Sequence, residues 1–194
     1  MNTKGWQGRL RMSERFSNSH PALFLDRDGI INIDHGYVYK QEDFEFTQGI
    51  FDLVKLFSDK GYLIFVITNQ SGIGRGYYTE SDFHLLTQWM LDTFKKHHIS
   101  IERVAYCPHT PEKNCSCRKP NTALINEILK TYTIDLAASY LIGDKQSDID
   151  LAINAHICNA IYIGRETIQK STYSFKTVSE CKHYLEQQKI LEKN

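Results

Sequence analysis

Two carboxylates one residue apart, Asp26 and Asp28, follow the short apolar run 22–25, and Gly29 comes directly after them. Carboxylates so placed hold a metal, attack an electrophile or move a proton; taken alone, the same Asp-x-Asp-Gly also suits an ordinary solvated turn. Further along, Thr68-Asn69-Gln70-Ser71-Gly72 close a second apolar run, Arg118-Lys119 follow a third, and Gly143-Asp144-Lys145 end a fourth. Asp26, Asp28 and Asp144 among hydroxyl and ammonium groups make the donor set of a Mg²⁺ and phosphoryl site, because Mg²⁺ takes oxygen ligands and shares the phosphate of its substrate. In that chemistry one carboxylate attacks phosphorus and divides the transfer into two easier steps. A second carboxylate, two residues on, carries the proton. Lys and Thr answer the charge that gathers on the transferring oxygens.

A second constellation is of another kind. Cys107, His109, Cys115 and Cys117 offer three thiolates and an imidazole within a stretch of eleven residues. Such a set suits a closed, tetrahedral Zn²⁺; two disulfides are the competing arrangement, which a cytoplasmic compartment disfavours. With all positions filled by protein the metal would be structural, pinning the loop that delivers Arg118 and Lys119. Cys158 and Cys181 read as buried thiols, Cys181 in phase with Val178 and Leu185.

For these groups to meet, the apolar runs must be strands whose carboxyl ends share one rim. Runs 22–25, 62–67, 101–106, 140–142 and 160–163 have strand length and composition. Between them a helix is predicted over 48–60, with Ile50, Leu53, Val54 and Phe57 as its apolar stripe and Gly61 at its end. Thr79 with Asp82 forms a capping box that opens the next helix, which carries Phe83, Leu86, Met90 and Phe94. Pro120 suits the first turn of a helix whose Ala123, Leu124, Ile128 and Leu129 face the core. Further helices are predicted over 147–154 and 178–188, while Gly72, Gly74 and Gly76 around Arg75 read as a permissive loop. Strand and helix alternate throughout, which predicts an α/β fold: a Rossmann-like parallel sheet with helices on both faces.

No insert is long enough for a cap domain, so loops 34–37, 72–78 and 107–120 are left to frame the site. A single domain over 21–190 is expected after a polar, basic and flexible extension, 1–20, with Lys4, Arg9, Arg11 and Arg15. The chain has 23 basic and 23 acidic residues, hence no net field to recruit nucleic acid or an anionic membrane. Its longest apolar run, 62–67, is far shorter than a membrane span. No secretory segment follows Met1, so a cytoplasmic protein is expected, and a monomer.

Asp26-Arg27-Asp28-Gly29, Thr68-Asn69-Gln70-Ser71-Gly72, the segment 107–120 and Gly143-Asp144-Lys145, in that order over residues 22–165, resemble the haloacid dehalogenase superfamily of phosphatases. Within it the chain is similar to the histidinol-phosphatase-related family. The resemblance implies that Asp26 is the nucleophile and Asp28 the general acid and base, that Thr68 and Lys119 stabilise the phosphoryl oxygens, and that Arg118 recognises the rest of the substrate. It implies Mg²⁺ held by Asp26, Asp144 and the carbonyl of Asp28, with Lys145 beside them. It also implies substrate contacts from Asp34, His35, Gly36, Tyr37, Asn69, Gln70 and Ser71, and Zn²⁺ in the cysteine loop. Asp148 is read as a helix cap or a support for the metal ligands rather than a ligand itself. The activity implied is removal of the 7-phosphate of a heptose 1,7-bisphosphate on the way to surface polysaccharide, with histidinol phosphate as the alternative substrate. One departure stands out: only five residues separate His109 from Cys115, fewer than is usual in the family.

Overall fold

A computed structural model of the protein describes residues 19–192; the expected flexible extension lies outside them, except for its last two residues. Strand β1, His20–Leu25, is the centre of the molecule, with Ala22, Leu23, Phe24 and Leu25 buried completely. It pairs in parallel with β2, Leu63–Asn69, on one side and with β4, Ile134–Gly143, on the other. Strands β3, Arg103–Cys107, β5, Asn159–Ile163, and β6, Tyr173–Phe175, complete a six-stranded parallel sheet in the order β3-β2-β1-β4-β5-β6.

Because successive side chains leave a strand on opposite faces, the sheet builds a core on each. Leu23, Leu25, Ile64, Val66, Ile142 and Ile161 pack under helices α1, Ile50–Asp59, α3, Glu80–Lys96, and α6, Val178–Gln187. Phe24, Phe65, Ile67, Leu141 and Tyr162 pack under α4, Ala123–Leu129, and α5, Gln146–Asn154. A buried sheet covered on both faces explains why these strands are continuous apolar runs.

Several local details differ from the sequence reading. The Gly72 region contains a single helical turn, α2, Ser71–Gly74. Pro120 precedes α4 by three residues and follows a cis peptide bond, so it does not occupy the helix's first turn; within α4 the fully buried positions are Ile125 and Ile128. Cys158 is exposed, whereas Cys181 is buried as expected. Strand β4 is ten residues long because Ser139 repairs an irregularity in its pairing with β1: its Oγ accepts from the Ala22 amide at 2.9 Å and donates to the Asp135 carbonyl at 2.5 Å. Among the described residues no helix is long and apolar enough to cross a membrane.

Candidate active site

The sheet order reverses between β1 and β4, and ligands bind outside the carboxyl ends of strands at such a point. Asp26 follows β1 directly and Asp144 follows β4. Gly29 has φ +94°, and a Cβ there would stand 2.2 Å from Asp144 Oδ2, so only glycine lets the two turns close together.

Lys119 lies at the centre of the charges. Its buried ammonium meets Asp26 Oδ2 at 2.9 Å and Asp148 Oδ1 at 2.6 Å, and donates to the Ile67 carbonyl at 3.0 Å. Asn69 anchors the same residue by its backbone, accepting from the Lys119 amide at 3.1 Å. Burial pushes the Asp26 carboxyl up to about 7, against the pull of Lys119 and with the help of Asp148 and Asp144. Burial likewise carries Asp144 to about 6, against Lys145. Burial would lower both lysines, but Asp148 and Asp26 outweigh it at Lys119, and Asp144, Asp26 and Asp34 outweigh it at Lys145, so both are raised.

Asp28 is surrounded by donors. Arg27 grips it with two bonds, Nε to Oδ2 at 3.1 Å and Nη2 to Oδ1 at 2.9 Å, while Gln70 Nε2 reaches Oδ2 at 2.8 Å and Asn32 Nδ2 reaches Oδ1 at 3.1 Å. Arg27 is 1% exposed, also donates to the Val38 carbonyl at 2.7 Å, and lies over the Phe83 ring. Gln70 further donates to Thr68 Oγ1 at 2.8 Å and accepts from the Tyr78 hydroxyl at 2.5 Å. Arg27 and Asn32 were not singled out by the sequence reading, although both sit within or next to its first motif.

A cavity of about 260 Å³ opens over these groups. Asp34, Gly36, Tyr37, Asn69, Gln70, Ser71, Arg118 and Lys145 all line it together with Asp26, Asp28, Thr68 and Lys119, as does Ser147, which the sequence did not flag. Asp34 pairs with Lys145 at 3.1 Å across the mouth; burial opposes, but Lys145 and the Gly36 amide hold its carboxyl below the usual range. His35 does not join them: it faces Glu45 at 3.6 Å and lies outside the cavity lining. Asp148 serves as the cap, Oδ2 accepting from the Lys145 amide at 3.0 Å, while its other oxygen holds Lys119.

Two ligand sets emerge. Oxygens of Asp26, Asp144 and Asp148 lie within 4.8 Å of one another, and Asp144 Oδ1 is buried with no hydrogen-bond partner among the described residues. An orphaned carboxylate oxygen in an oxygen-rich, anionic site fits a hard divalent cation. Cys107, His109, Cys115 and Cys117 form the other set, with Sγ···Sγ separations of 3.0–3.4 Å and His109 Nδ1 3.2 Å from Cys117 Sγ. No pair approaches the roughly 2.05 Å of a disulfide; tetrahedral Zn²⁺ bonds of about 2.3 Å require vertices slightly wider than those seen. The loop is fixed to its surroundings through Gln70 N to Cys107 O at 2.8 Å and Gly74 N to Pro108 O at 2.9 Å.

Known proteins fit this geometry. The family model described as polynucleotide kinase 3 phosphatase matches residues 24–179. The D-glycero-beta-D-manno-heptose-1,7-bisphosphate 7-phosphatase of Helicobacter pylori is 46% identical over 170 residues, covering 87% of this chain and 96% of the relative. The chain belongs to the haloacid dehalogenase superfamily of phosphatases, among the heptose-bisphosphate 7-phosphatase relatives. A D-glycero-alpha-D-manno-heptose-1,7-bisphosphate 7-phosphatase of Campylobacter jejuni is 44% identical over 170 residues, 87% of this chain and 98% of that one. The phosphatase fold extends to the D,D-heptose 1,7-bisphosphate phosphatase of B. bronchiseptica, solved with magnesium and phosphate, at a TM-score of 0.75 and 22% identity, covering 87% of this chain and 99% of that one. A HAD-like phosphatase from Mesorhizobium loti superposes with a TM-score of 0.76 at 26% identity, over 96% and 89% of the two chains. Like its relatives, this phosphatase is a phosphoric monoester hydrolase.

Proposed function

We propose that this phosphatase uses Mg²⁺ to remove the 7-phosphate of D-glycero-D-manno-heptose 1,7-bisphosphate through an aspartyl-phosphate on Asp26. The observation that carries the reading is Asp26 held by Lys119, beside a fully hydrogen-bonded Asp28, in a chain matched almost end to end by heptose-1,7-bisphosphate 7-phosphatases. The product, a heptose 1-phosphate, is the form from which nucleotide-activated heptose is made for lipopolysaccharide and related surface polysaccharide.

In the first step an Asp26 oxygen attacks phosphorus and the bond to the C7 oxygen breaks. Asp28, which takes up a proton in exchange for one of its donors as the substrate binds, gives that proton to the departing oxygen. Lys119 and Thr68 face the phosphoryl oxygens where charge spreads. In the second step Asp28, now ionised, takes a proton from water, whose oxygen displaces Asp26 and releases inorganic phosphate. Asp26, Asp144 and the Asp28 carbonyl hold the Mg²⁺, which when bound supplies the positive charge that lets a carboxylate approach a phosphate dianion. Arg118 at the cavity mouth meets the second phosphate or the sugar hydroxyls. A structural Zn²⁺ on Cys107, His109, Cys115 and Cys117 fixes the loop that presents Arg118 and Lys119.

The site also disfavours an amine-bearing ester. Asp34, the acid nearest the mouth, is already paired with Lys145. Phosphate release from both anomers of heptose 1,7-bisphosphate, histidinol phosphate and fructose 1,6-bisphosphate tests the assignment. A heptose bisphosphate should lead in kcat/KM by at least about tenfold, roughly 1.4 kcal/mol of discrimination. A lead by histidinol phosphate would overturn the substrate while leaving the chemistry.

A further inference from the structure

The catalytic cavity is polar and charged on its floor, and its apolar lining comes from two aromatic rings, Tyr37 and Tyr78. Tyr78 is buried, 6% exposed, bonded to Gln70 and stacked on Tyr39 at 5.1 Å. Tyr37 is different. It is 46% exposed at the mouth, thrown outward by a left-handed backbone (φ 54°) directly after Gly36. One side of its ring packs on the α2 backbone: a Cβ on Gly72 would lie 3.0 Å from Tyr37 Cδ1. Across from it stands Tyr77, from a separate loop, 56% exposed and edge-to-face with Tyr37 at 4.8 Å between centroids and 81° between planes. The Tyr77 amide is bonded to the Gly72 carbonyl at 2.9 Å, which ties its backbone to the same turn.

Such a pair places two large rings at the open mouth of a charged pocket that no cap domain covers among the described residues. Tyr77 does not line the cavity; it touches the residue that does. We propose that Tyr77 is a specificity-determining, positioning residue: by its edge-to-face contact it fixes Tyr37 as an apolar wall against which the carbon-bound hydrogens of the sugar phosphate lie. This inference rests on the proposed function, since it concerns how that site holds a sugar. An edge-to-face pair favours one arrangement of its rings, so without Tyr77 the substrate must itself order the Tyr37 ring.

The test measures kcat and KM for heptose 1,7-bisphosphate, with acetyl phosphate as a phosphoryl donor lacking a sugar, in Tyr77→Ala, Tyr77→Phe, Tyr37→Ala and the Tyr37→Ala/Tyr77→Ala double variant. Tyr77→Ala should raise KM for the sugar substrate about three- to tenfold, with kcat moving less than about twofold, so its preference over acetyl phosphate falls by the same factor. Tyr77→Phe, which keeps the ring contact, should restore KM to within about twofold of the parent. The double variant should match Tyr37→Ala alone, because Tyr77 acts through Tyr37. An unchanged KM in Tyr77→Ala, or equal losses on both substrates, would overturn the inference while the substrate assignment stood. A parent enzyme that cleaved acetyl phosphate but not the heptose bisphosphate would instead overturn the proposed function, and the inference with it.

Discussion

Replacing Asp28 by Asn separates the proton carrier from the rest of the site, and the structure gives the size of two effects. Every neighbour of the Asp28 carboxylate is a donor: Arg27 Nη2 and Asn32 Nδ2 at Oδ1, Arg27 Nε and Gln70 Nε2 at Oδ2. An amide offers one oxygen, so in either orientation its NH₂ faces two donors. Arg27, 1% exposed, then keeps the Val38 carbonyl and one bond to the amide oxygen, both neutral acceptors, and loses the carboxylate that balanced its charge. Removing one partner of a buried pair costs about 3–5 kcal/mol. Asp28 is 16% exposed and Asn retains one acceptor edge, so about 2–3 kcal/mol is expected here, or a melting temperature lower by about 5–10 °C. The kinetic effect is distinct. Loss of a placed acid and base slows turnover by about 10²–10⁴, and a sugar alkoxide needs protonation far more than an aryl oxide does. With an aryl phosphate the variant should therefore form its aspartyl-phosphate, release a burst of phenol and lag in phosphate. Stopped-flow traces of phenol and phosphate, taken well below the melting temperature measured by calorimetry, read both effects. Equal slowing on sugar and aryl substrates would refute the acid and base role, and an unchanged melting temperature would refute the Arg27–Asp28 pairing.

Lys119→Met should abolish turnover and, in EDTA, cost about 3–5 kcal/mol at pH 8, because Asp26 and Asp148 lose their shared cation. The folded Asp26 carboxyl is already raised above its unfolded value, so the folded state holds more protons. The penalty is therefore small near the unfolded carboxylate value and grows as pH rises through the folded one, which urea unfolding at pH 5.5 and pH 8 checks. Since burial raises Asp26 to about 7 and Asp144 to about 6, Mg²⁺ affinity should fall as pH drops from about 8 to about 5, with protons released on binding. Calorimetric titrations in buffers of different ionisation heat measure that release, and its absence would count against these two ligands. About one Zn²⁺ per chain should survive gel filtration, and Cys117→Ala should lose it and weaken turnover through Arg118 and Lys119; elemental analysis without zinc, alongside free alkylation of Cys107, Cys115 and Cys117, would refute the site.

Much of this was legible because the chemistry sits where local rules are strict. A strand buried on both faces must be apolar along its length, so Ala22 to Leu25 and Ile64 to Ile67 announce themselves, and polar groups just beyond their ends can only lie on the rim. The Thr79 and Asp82 capping box is a contact between residues three apart and needs no tertiary structure to be foreseen. Where pairing is long-range the sequence was silent. The first half of β4, Ile134 to Ala138, is too short and too incompletely buried to read as a strand by itself, and it is one because it pairs with His20 and Pro21, far earlier in the chain, with Ser139 bonded to Ala22 where the register shifts. The three-residue strand β6 exists only as a partner for β5, and Cys158, apolar in character, ends up at the surface.

The same division runs through the site. Residue types and spacing named Asp26, Asp28, Thr68, Lys119 and Asp144, since each stands at or just beyond the end of an apolar run or just after the cysteine loop. Their environments were not legible. That Lys119 joins Asp26 to Asp148, that Arg27 turns inward to hold Asp28, and that His35 turns away from its neighbours depend on which distant atoms fill the space around them. Electrostatic energy falls with distance and rises as water is excluded, and both quantities are set only when the chain is packed. Sequence determined which groups stand at the rim; tertiary structure decided which are paired, which are buried, and so which remain available to react.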